Sequence, residues 1–217
     1  MSQPIGPDRQ IVVSKKQLRE AIRAEIAALD PEHRHAQENN LAVRFPDLPG
    51  WAGAETVLLY VSAFPEELRT AEYWARAYEA GKRVICPRVD RAARQLRLYR
   101  VRDPRAELSP GVLGIPEPCD DLPEVAPESI DWVLVPGLAF DEQGYRLGRG
   151  AGHYDRLMPR LRSDAVCWAL CLSCQLVPRL RIEPHDMPLD GVCTPDRIIR
   201  GARGNLDRPS TPPAGAS

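Results

Sequence analysis

The sequence predicts an α/β fold, a single domain in which a largely parallel central sheet is flanked by helices. Short, continuous apolar segments alternate along the chain with segments of helical periodicity, and this alternation is typical of α/β proteins. The chain has 217 residues, of which 43% are hydrophobic and 27% are charged, so it can bury a core without disulfides. We expect the domain to span residues 14–200, with residues 1–13 as an N-terminal extension and residues 201–217 as a disordered tail rich in Gly, Pro, Ser and Ala.

Two helices are expected near the N-terminus. The segment 14–17 (Ser-Lys-Lys-Gln) has the spacing of a capping box. Apolar residues then recur at helical spacing, at Leu18, Ile22, Ile26 and Leu29. Asp30 followed by Pro31 ends this helix and can begin the next, which should stop before Pro46.

The remaining elements are predicted from apolar runs and from residues that favour turns. Apolar segments with β-branched residues predict strands at 56–61, 83–86, 95–101, 131–135 and 165–172. Thr70 is expected to cap a helix that ends at Gly81, and a short helix should cover about 154–161. Residues 102–129 contain much proline and glycine and are expected to form a connecting loop.

Composition excludes several classes of partner. The net charge is −1, so the chain lacks the general positive field that grips nucleic acid. We expect no membrane association, because no apolar run approaches the ~18 residues that a membrane helix needs, and no apolar leader precedes the domain. A cytoplasmic monomer is therefore expected, and its six cysteines should be reduced thiols.

A glycine-rich segment at 146–155 is the strongest indication of chemistry. It reads Arg-Leu-Gly-Arg-Gly-Ala-Gly-His-Tyr-Asp and follows the apolar segment at 131–135. Alternating glycines allow successive backbone N–H groups to form an anion-binding nest, and Arg146 and Arg149 add positive charge. The spacing matches neither a Walker A loop nor a Rossmann fingerprint. These residues alone leave two interpretations open, a polyphosphate cradle and a flexible loop with solvated arginines.

The segment Gly-Tyr-Arg-Leu-Gly-Arg-Gly, followed by Gly and Tyr-Asp and preceded by Val-Pro-Gly-Leu-Ala-Phe-Asp, resembles the signature of the 5-formyltetrahydrofolate cyclo-ligase family. Four other segments resemble this family in the same order along residues 14–195: 15–19, 62–70, 81–88 and 183–190. The resemblance implies an enzyme that converts 5-formyltetrahydrofolate and ATP into 5,10-methenyltetrahydrofolate, ADP and phosphate, with Mg²⁺. It also implies phosphorylation of the formyl oxygen, followed by attack of nitrogen 10 and loss of phosphate.

The resemblance also implies roles for particular residues. Arg149 and Glu67 would be catalytic. ATP would contact Lys15, Arg19, Arg146, Leu147, Gly148, Arg149, Gly150, Ala151, Gly152, His153, Tyr154 and Asp155. The reduced folate would contact Val61, Glu67, Arg149, Gly150, Ala151, Gly152 and His153. Mg²⁺ would be held by Asp155 and Asp186, with Asp190 as the alternative to Asp186, because Mg²⁺ favours one or two carboxylates together with phosphate oxygens.

Three residues depart from the family pattern. His153 stands where an aromatic residue is usual, Ala151 where glycine or lysine is frequent, and Arg69 where an acidic residue is common. These departures leave open a non-catalytic folate-binding or regulatory paralogue on the same fold. A phosphosugar isomerase or acyltransferase on a similar scaffold is a further alternative, against which the glycine loop and the acidic segment 183–190 argue.

Two local patterns have alternative interpretations. Cys167, Cys171 and Cys174 match an iron–sulfur spacing, but in an extended strand the first two would be about 13 Å apart at ~3.3 Å per residue, which favours buried packing residues. The segment 183–190 (Glu-Pro-His-Asp-Met-Pro-Leu-Asp) could instead be a zinc or iron hydrolase site.

Overall fold

Five parallel strands form the centre of a seven-stranded sheet with the order β11-β10-β9-β6-β1-β2-β3, and the two edge strands are antiparallel to their neighbours. The computed structural model describes residues 14–111 and 114–205. Its helices are α1 (Lys15–Ala28), α2 (Pro31–Arg44), α3 (Ala71–Glu79), α4 (Pro104–Glu107) and α5 (His153–Leu157). The strands of the sheet are β1 (Thr56–Leu58), β2 (Arg83–Asp90), β3 (Gln95–Arg100), β6 (Trp132–Leu134), β9 (Val166–Leu170), β10 (Gly191–Cys193) and β11 (Ile198–Arg200).

Two short hairpins lie outside this sheet. One pairs β4 (Leu108–Pro110) with β5 (Pro116–Pro118), and the other pairs β7 (Ala139–Phe140) with β8 (Arg146–Leu147). The predicted α/β fold with a largely parallel sheet is thus confirmed. None of the described helices has the length and apolar character needed to cross a membrane.

The sheet separates two apolar cores, because successive side chains of a strand point to opposite faces. On one face, Val57 and Leu59 pack with residues of α1, α2 and α3. On the other face, Leu58 packs with residues of α5 and of the turn after it. The four tryptophans, at positions 51, 74, 132 and 168, are all buried, as packing residues should be.

The N-terminal helices begin and end where local chemistry predicts. The Ser14 hydroxyl accepts a hydrogen bond from the Gln17 amide, and the Gln17 side chain accepts one from the Ser14 amide. The Asp30 carboxylate caps α2 by accepting a hydrogen bond from the His33 amide. These caps fix where α1 and α2 begin, and both helices contribute to the apolar core on one face of the sheet.

Other predicted elements differ from the structure in length or detail. Thr70 precedes α3, but its side chain makes no cap; its hydroxyl instead accepts from the Ser62 amide. The predicted helix at 154–161 is α5 followed by a 3-10 turn, Met158–Arg160. Residues 102–129, predicted as loop, contain α4, β4 and β5.

The predicted boundaries of the domain are also affected. Residues 1–13 lie outside the described residues. The expectation of a disordered tail from residue 201 is wrong for its first five residues, because Ala202–Asn205 form a 3-10 turn. The Arg203 side chain is buried, and its Nη1 lies 3.6 Å from Asp190 Oδ2. The ordered chain therefore continues past residue 200. Residues 206–217 lie outside the described residues.

Candidate active site

A cavity of about 210 Å³ opens at the carboxyl ends of the parallel strands, where ligands bind in open α/β sheets. The segment after β1 contributes Tyr60 and Val61, and the segment after β6 contributes Pro136–Leu138. The glycine loop and Glu67 line one side, and residues of β2, β3 and β5, among them Glu117, line the other. Apolar surface with a few charged groups at one side is the composition expected of a site for a flat organic ligand.

The glycine loop joins β8 to α5 and borders this cavity. Gly150 and Gly152 have φ angles of 107° and 64°, which an L-residue with a side chain rarely adopts. Among the described residues, no protein group accepts a hydrogen bond from the backbone amides of residues 148–152. These amides are therefore available to an anion. The dipole of α5 adds little to anion binding here, because this helix is only five residues long.

Arg149 joins the glycine loop to the segment after β1. Its Nε lies 3.3 Å from Glu67 Oε1, and its Nη2 lies 3.0 Å from Glu66 Oε1. The guanidinium carbon stands 3.5 Å from the centre of the Phe64 ring. The two residues predicted as catalytic are therefore in direct contact.

The basic side chains of α1 approach the same place. Arg19 Nε donates to the Gly148 carbonyl at 2.8 Å. Lys15 Nζ lies 3.0 Å from Asp186 Oδ2 and 3.3 Å from Glu183 Oε1. Partial burial raises the pKa of Asp186, but the Glu183 amide and the Lys15 ammonium outweigh it and hold this pKa below its ordinary value. The predicted phosphate-binding lysine is thus paired with a predicted metal carboxylate.

Arg146 and Asp155 form a largely buried ion pair at the two ends of the glycine-rich segment. Arg146 Nη2 lies 2.9 Å from Asp155 Oδ1, and its Nη1 donates to the Met187 carbonyl at 3.1 Å. The Arg146 side chain is only 4% exposed. The Met187 amide lies 3.4 Å from the same Asp155 oxygen, so the residue that follows Asp186 contacts Asp155.

Neutral polar groups face the carboxylate of Glu67. Burial, followed by the charge of Glu67, raises the pKa of Tyr60. Burial also raises the pKa of Tyr154, so both phenols remain protonated at neutral pH. The Tyr154 hydroxyl is buried and has no hydrogen-bond partner among the described residues, which leaves it free to bind a ligand.

Some predicted residues lie outside the cavity. Leu147 packs in the core beside α1 and α2. Asp190, the alternative metal ligand, is buried and accepts a hydrogen bond from the Cys167 amide at 2.7 Å. This contact and the Arg203 pair favour a structural role for Asp190, and Asp186 remains the predicted second metal carboxylate.

The cysteines are free thiols. Burial raises the pKa of Cys167 to about 11 and raises the pKa of Cys171. Within the described ranges, the only group of three or more potential ligands close enough to hold a metal is Glu183, His185 and Asp186. The interpretation of the cysteines as packing residues agrees with this arrangement.

The comparisons with known proteins agree with the geometry. The sequence profile of the 5-formyltetrahydrofolate cyclo-ligase family matches residues 11–195. The chain belongs to the 5-formyltetrahydrofolate cyclo-ligase family. It is 35% identical over 181 residues to the 5-formyltetrahydrofolate cyclo-ligase of Escherichia coli K12, with 82% of this chain and 98% of the relative covered.

Two solved structures have the same architecture as this chain. The NMR structure of Aquifex aeolicus 5,10-methenyltetrahydrofolate synthetase superimposes with a TM-score of 0.75 at 30% identity, covering 92% of this chain and 97% of that one. A 5,10-methenyltetrahydrofolate synthetase from Mycoplasma pneumoniae gives a TM-score of 0.67 at 20% identity, covering 84% and 99%; this second likeness shows the fold alone.

The departures from the cyclo-ligase family pattern have defined surroundings. The His153 ring borders the cavity, and its Nδ1 lies 3.3 Å from Arg156 Nη2. Because arginine only donates, Nδ1 is the acceptor. Burial and then the Arg156 charge lower the pKa of His153, which therefore faces the cavity as a neutral ring. Arg69 pairs with Glu38, its Nη2 lying 2.8 Å from Oε2.

Several site residues were not predicted in this member of the cyclo-ligase family. Arg23 lies 3.0 Å from Glu66 Oε1, and its spacing of four from Arg19 places both on one face of α1; the sequence contained that signal. Glu66 and Phe64 had no sequence signal that distinguished them from their neighbours. Glu117, a buried carboxylate on the far wall, lies in a segment predicted as loop.

Proposed function

We propose that the protein catalyses the ATP-dependent conversion of 5-formyltetrahydrofolate to 5,10-methenyltetrahydrofolate, with release of ADP and phosphate. The observation that carries the proposal is the contact between Arg149 and Glu67 at one cavity. It joins a loop suited to a polyphosphate to a carboxylate suited to the N–H donors of a pterin. Membership of the family agrees with this arrangement.

The phosphate side of the site would be formed by the glycine loop and the basic residues of α1. The amides of residues 148–152 would receive the phosphate oxygens. Lys15 and Arg19 would add positive charge where α1 approaches the loop. Phosphoryl transfer depends mainly on positioning and charge neutralisation, and these groups supply both.

The folate side would be formed by Glu67, Val61 and the apolar wall. Glu67 Oε2 accepts from the amides of Ala63 and Phe64 at 2.9 and 3.3 Å, which fixes the carboxylate and leaves Oε1 toward Arg149. A pterin would replace part of this pairing by donating to the carboxylate. His153 and the Tyr154 hydroxyl would contact the ring from the glycine loop.

The reaction follows from this juxtaposition. The formyl oxygen of the bound folate would attack the γ-phosphorus of ATP and release ADP. Nitrogen 10 would then attack the activated carbon and close the ring, and loss of the nitrogen 10 proton together with departure of phosphate would leave the methenyl bridge. Arg149, which reaches both halves of the site, would stabilise the charge that develops on the transferring phosphoryl group.

The carboxylates fit a magnesium ion, because Mg²⁺ binds hard oxygen ligands. Asp155 and Asp186 would hold it, and the nearby Glu183 and His185 offer further ligand atoms within 4.8 Å of one another and of Asp186. When bound, Mg²⁺ neutralises charge on the phosphates of ATP. Lys15, now paired with Asp186, would then be free to turn toward a phosphate.

We also propose a cytoplasmic monomer that binds neither nucleic acid nor membranes. The free cysteines fit a reducing compartment, and the net charge of −1 gives no general attraction to nucleic acid. Gel filtration tests the monomer.

The proposed activity is tested by incubating purified protein with 5-formyltetrahydrofolate and MgATP and following the near-ultraviolet absorbance of the methenyl product. Product should form with ATP and not without it. Folate binding without product would instead support the non-catalytic paralogue.

A further inference from the structure

The segment of residues 62–70, which carries Glu67, forms a loop closed at its base. The Ser62 amide donates to the Thr70 hydroxyl at 3.0 Å, and the Thr70 amide donates to the Ser62 hydroxyl at 3.2 Å. Inside the loop, the Glu67 amide donates to the Phe64 carbonyl at 3.0 Å. These bonds fix the ends of the loop but do not attach its tip to the rest of the domain.

Arg34 on α2 attaches the tip. Its Nη1 donates to the Pro65 carbonyl at 2.7 Å, and its Nη2 donates to the Glu67 carbonyl at 2.8 Å. Its Nε lies 3.1 Å from Glu38 Oε1, one turn further along the helix. All three nitrogens of one guanidinium therefore have acceptors, and two of these acceptors flank the peptide that leads into Glu67.

Glu38 holds a second part of the same loop. The carboxylate is buried, and its Oε2 accepts from Arg69 Nε at 3.1 Å and Nη2 at 2.8 Å. The carboxylate thus lies between Arg34 and Arg69. One face of α2 therefore holds the loop at the Pro65 and Glu67 carbonyls and at the Arg69 side chain.

We propose that Arg34 and Glu38 are positioning residues for the folate side of the site. By fixing the backbone on both sides of Glu66, they hold the Glu67 carboxylate at the cavity before substrate arrives, which lowers the cost of binding. The inference rests on the proposed function and deepens it, because it assigns folate affinity to a helix that does not touch the ligand. ATP affinity would depend on α1 and the glycine loop, and no described hydrogen bond or ion pair joins Arg34 or Glu38 directly to either of them.

The chemistry of arginine is needed at position 34. A planar guanidinium reaches two carbonyls and a carboxylate in fixed directions, whereas a lysine ammonium is a single charged point on a flexible stem. Arg34→Lys therefore keeps the charge and removes the geometry. Glu38→Gln keeps the shape and removes the charge that joins the two arginines.

The matched control is Arg76→Lys on α3. Arg76 Nη2 lies 2.8 Å from Glu72 Oε1 with the same spacing of four residues, but this exposed pair holds no loop. The three variants are compared with the wild type in two measurements. The first is steady-state kinetics with 5-formyltetrahydrofolate and ATP varied separately. The second is hydrogen exchange of the backbone amides of residues 63, 64, 66 and 67, since residue 65 is a proline.

For Arg34→Lys and Glu38→Gln, we expect the KM for folate to rise about tenfold, equivalent to about 1.4 kcal/mol, while the KM for ATP changes less than about twofold. The amides of residues 63, 64, 66 and 67 should exchange faster in both variants, and their exchange should be unchanged in Arg76→Lys. Equal increases in the two KM values, or unchanged exchange in the loop, would overturn the proposal. If the wild type forms no methenyl product, the proposed function is contradicted. If the loop amides of the two variants still exchange faster in that case, the positioning of the loop by α2 is supported independently of the function.

Discussion

Replacing Arg149 with alanine separates catalysis from stability, because the structure gives this side chain few stabilising contacts. The guanidinium is about a third exposed, with a side-chain accessibility of 32%. Its ion pairs with Glu66 and Glu67 span 3.0 and 3.3 Å, and pairs this exposed contribute only about 0.2–1 kcal/mol each. The contact with the Phe64 ring adds about 0.5–1 kcal/mol.

These contacts limit the expected loss of stability to roughly 1–3 kcal/mol, which corresponds to a fall in melting temperature of about 2–12 °C for a domain of this size. The loss of turnover should be much larger. Removing one preorganised donor to a developing negative charge typically costs about 100- to 1,000-fold in kcat. Turnover and thermal unfolding are measured on the same preparation of Arg149→Ala.

Arg97→Ala is the matched control. Arg97 also combines an ion pair, with Glu124 at 2.6 Å, and a ring contact, with Tyr99 at 5.5 Å, but it borders no part of the described active-site cavity. It should alter turnover by less than about twofold. If Arg149→Ala keeps wild-type turnover and loses only melting temperature, Arg149 is a structural residue and its catalytic assignment is refuted.

Three further predictions concern the folate side, the metal and the cysteines. Glu67→Gln should raise the KM for folate about tenfold and leave the KM for ATP nearly unchanged, because the carboxylate faces the cavity. A fall in nucleotide affinity alone would assign Glu67 to the ATP-binding side of the site instead. In magnesium titrations of activity, Asp155→Asn should raise the Mg²⁺ concentration needed for activity and lower turnover, and Asp186→Asn should do both more weakly. Asp190→Asn should lower the melting temperature without changing the Mg²⁺ concentration needed. An unchanged requirement in Asp155→Asn would remove the metal assignment. Cys174→Ser should retain activity, and iron bound to anaerobically purified protein would contradict the packing interpretation.

Local signals predicted the beginnings of the helices and most of the sheet. The caps of α1 and α2 depend on residues within three positions of each other, so the sequence alone contains them. The strand predicted at 83–86 extends to Asp90, because proline at position 87 does not interrupt it. Beyond Ile85, β2 pairs only with β3, and at such an edge proline is tolerated.

Short strands and distant pairings could not be predicted. The strands β10 and β11 have three residues each and form because β9 offers an edge to β10. Thr70 has the chemistry of a cap, but Ser62 competes for its hydroxyl. Tertiary contacts decide both cases, and neighbouring residues do not reveal them.

The candidate site shows the same division. The glycine loop and Glu67 were identifiable from the motif, since their chemistry depends on consecutive residues. The pairing of Lys15 with Asp186 spans 171 positions, and the hold of Arg34 on the Glu67 carbonyl spans 33. Such partners become visible only when the fold brings α1, α2 and the loops to one edge of the sheet.

The ratio of ADP released to methenyl product formed tests the central claim most directly, because the claim is that phosphoryl transfer from ATP drives ring closure. With excess 5-formyltetrahydrofolate and MgATP, ADP is quantified in the same samples in which the near-ultraviolet absorbance of 5,10-methenyltetrahydrofolate is measured. The account predicts one ADP for each methenyl product throughout the time course. Methenyl product without ATP consumption, or no product at all, would contradict it.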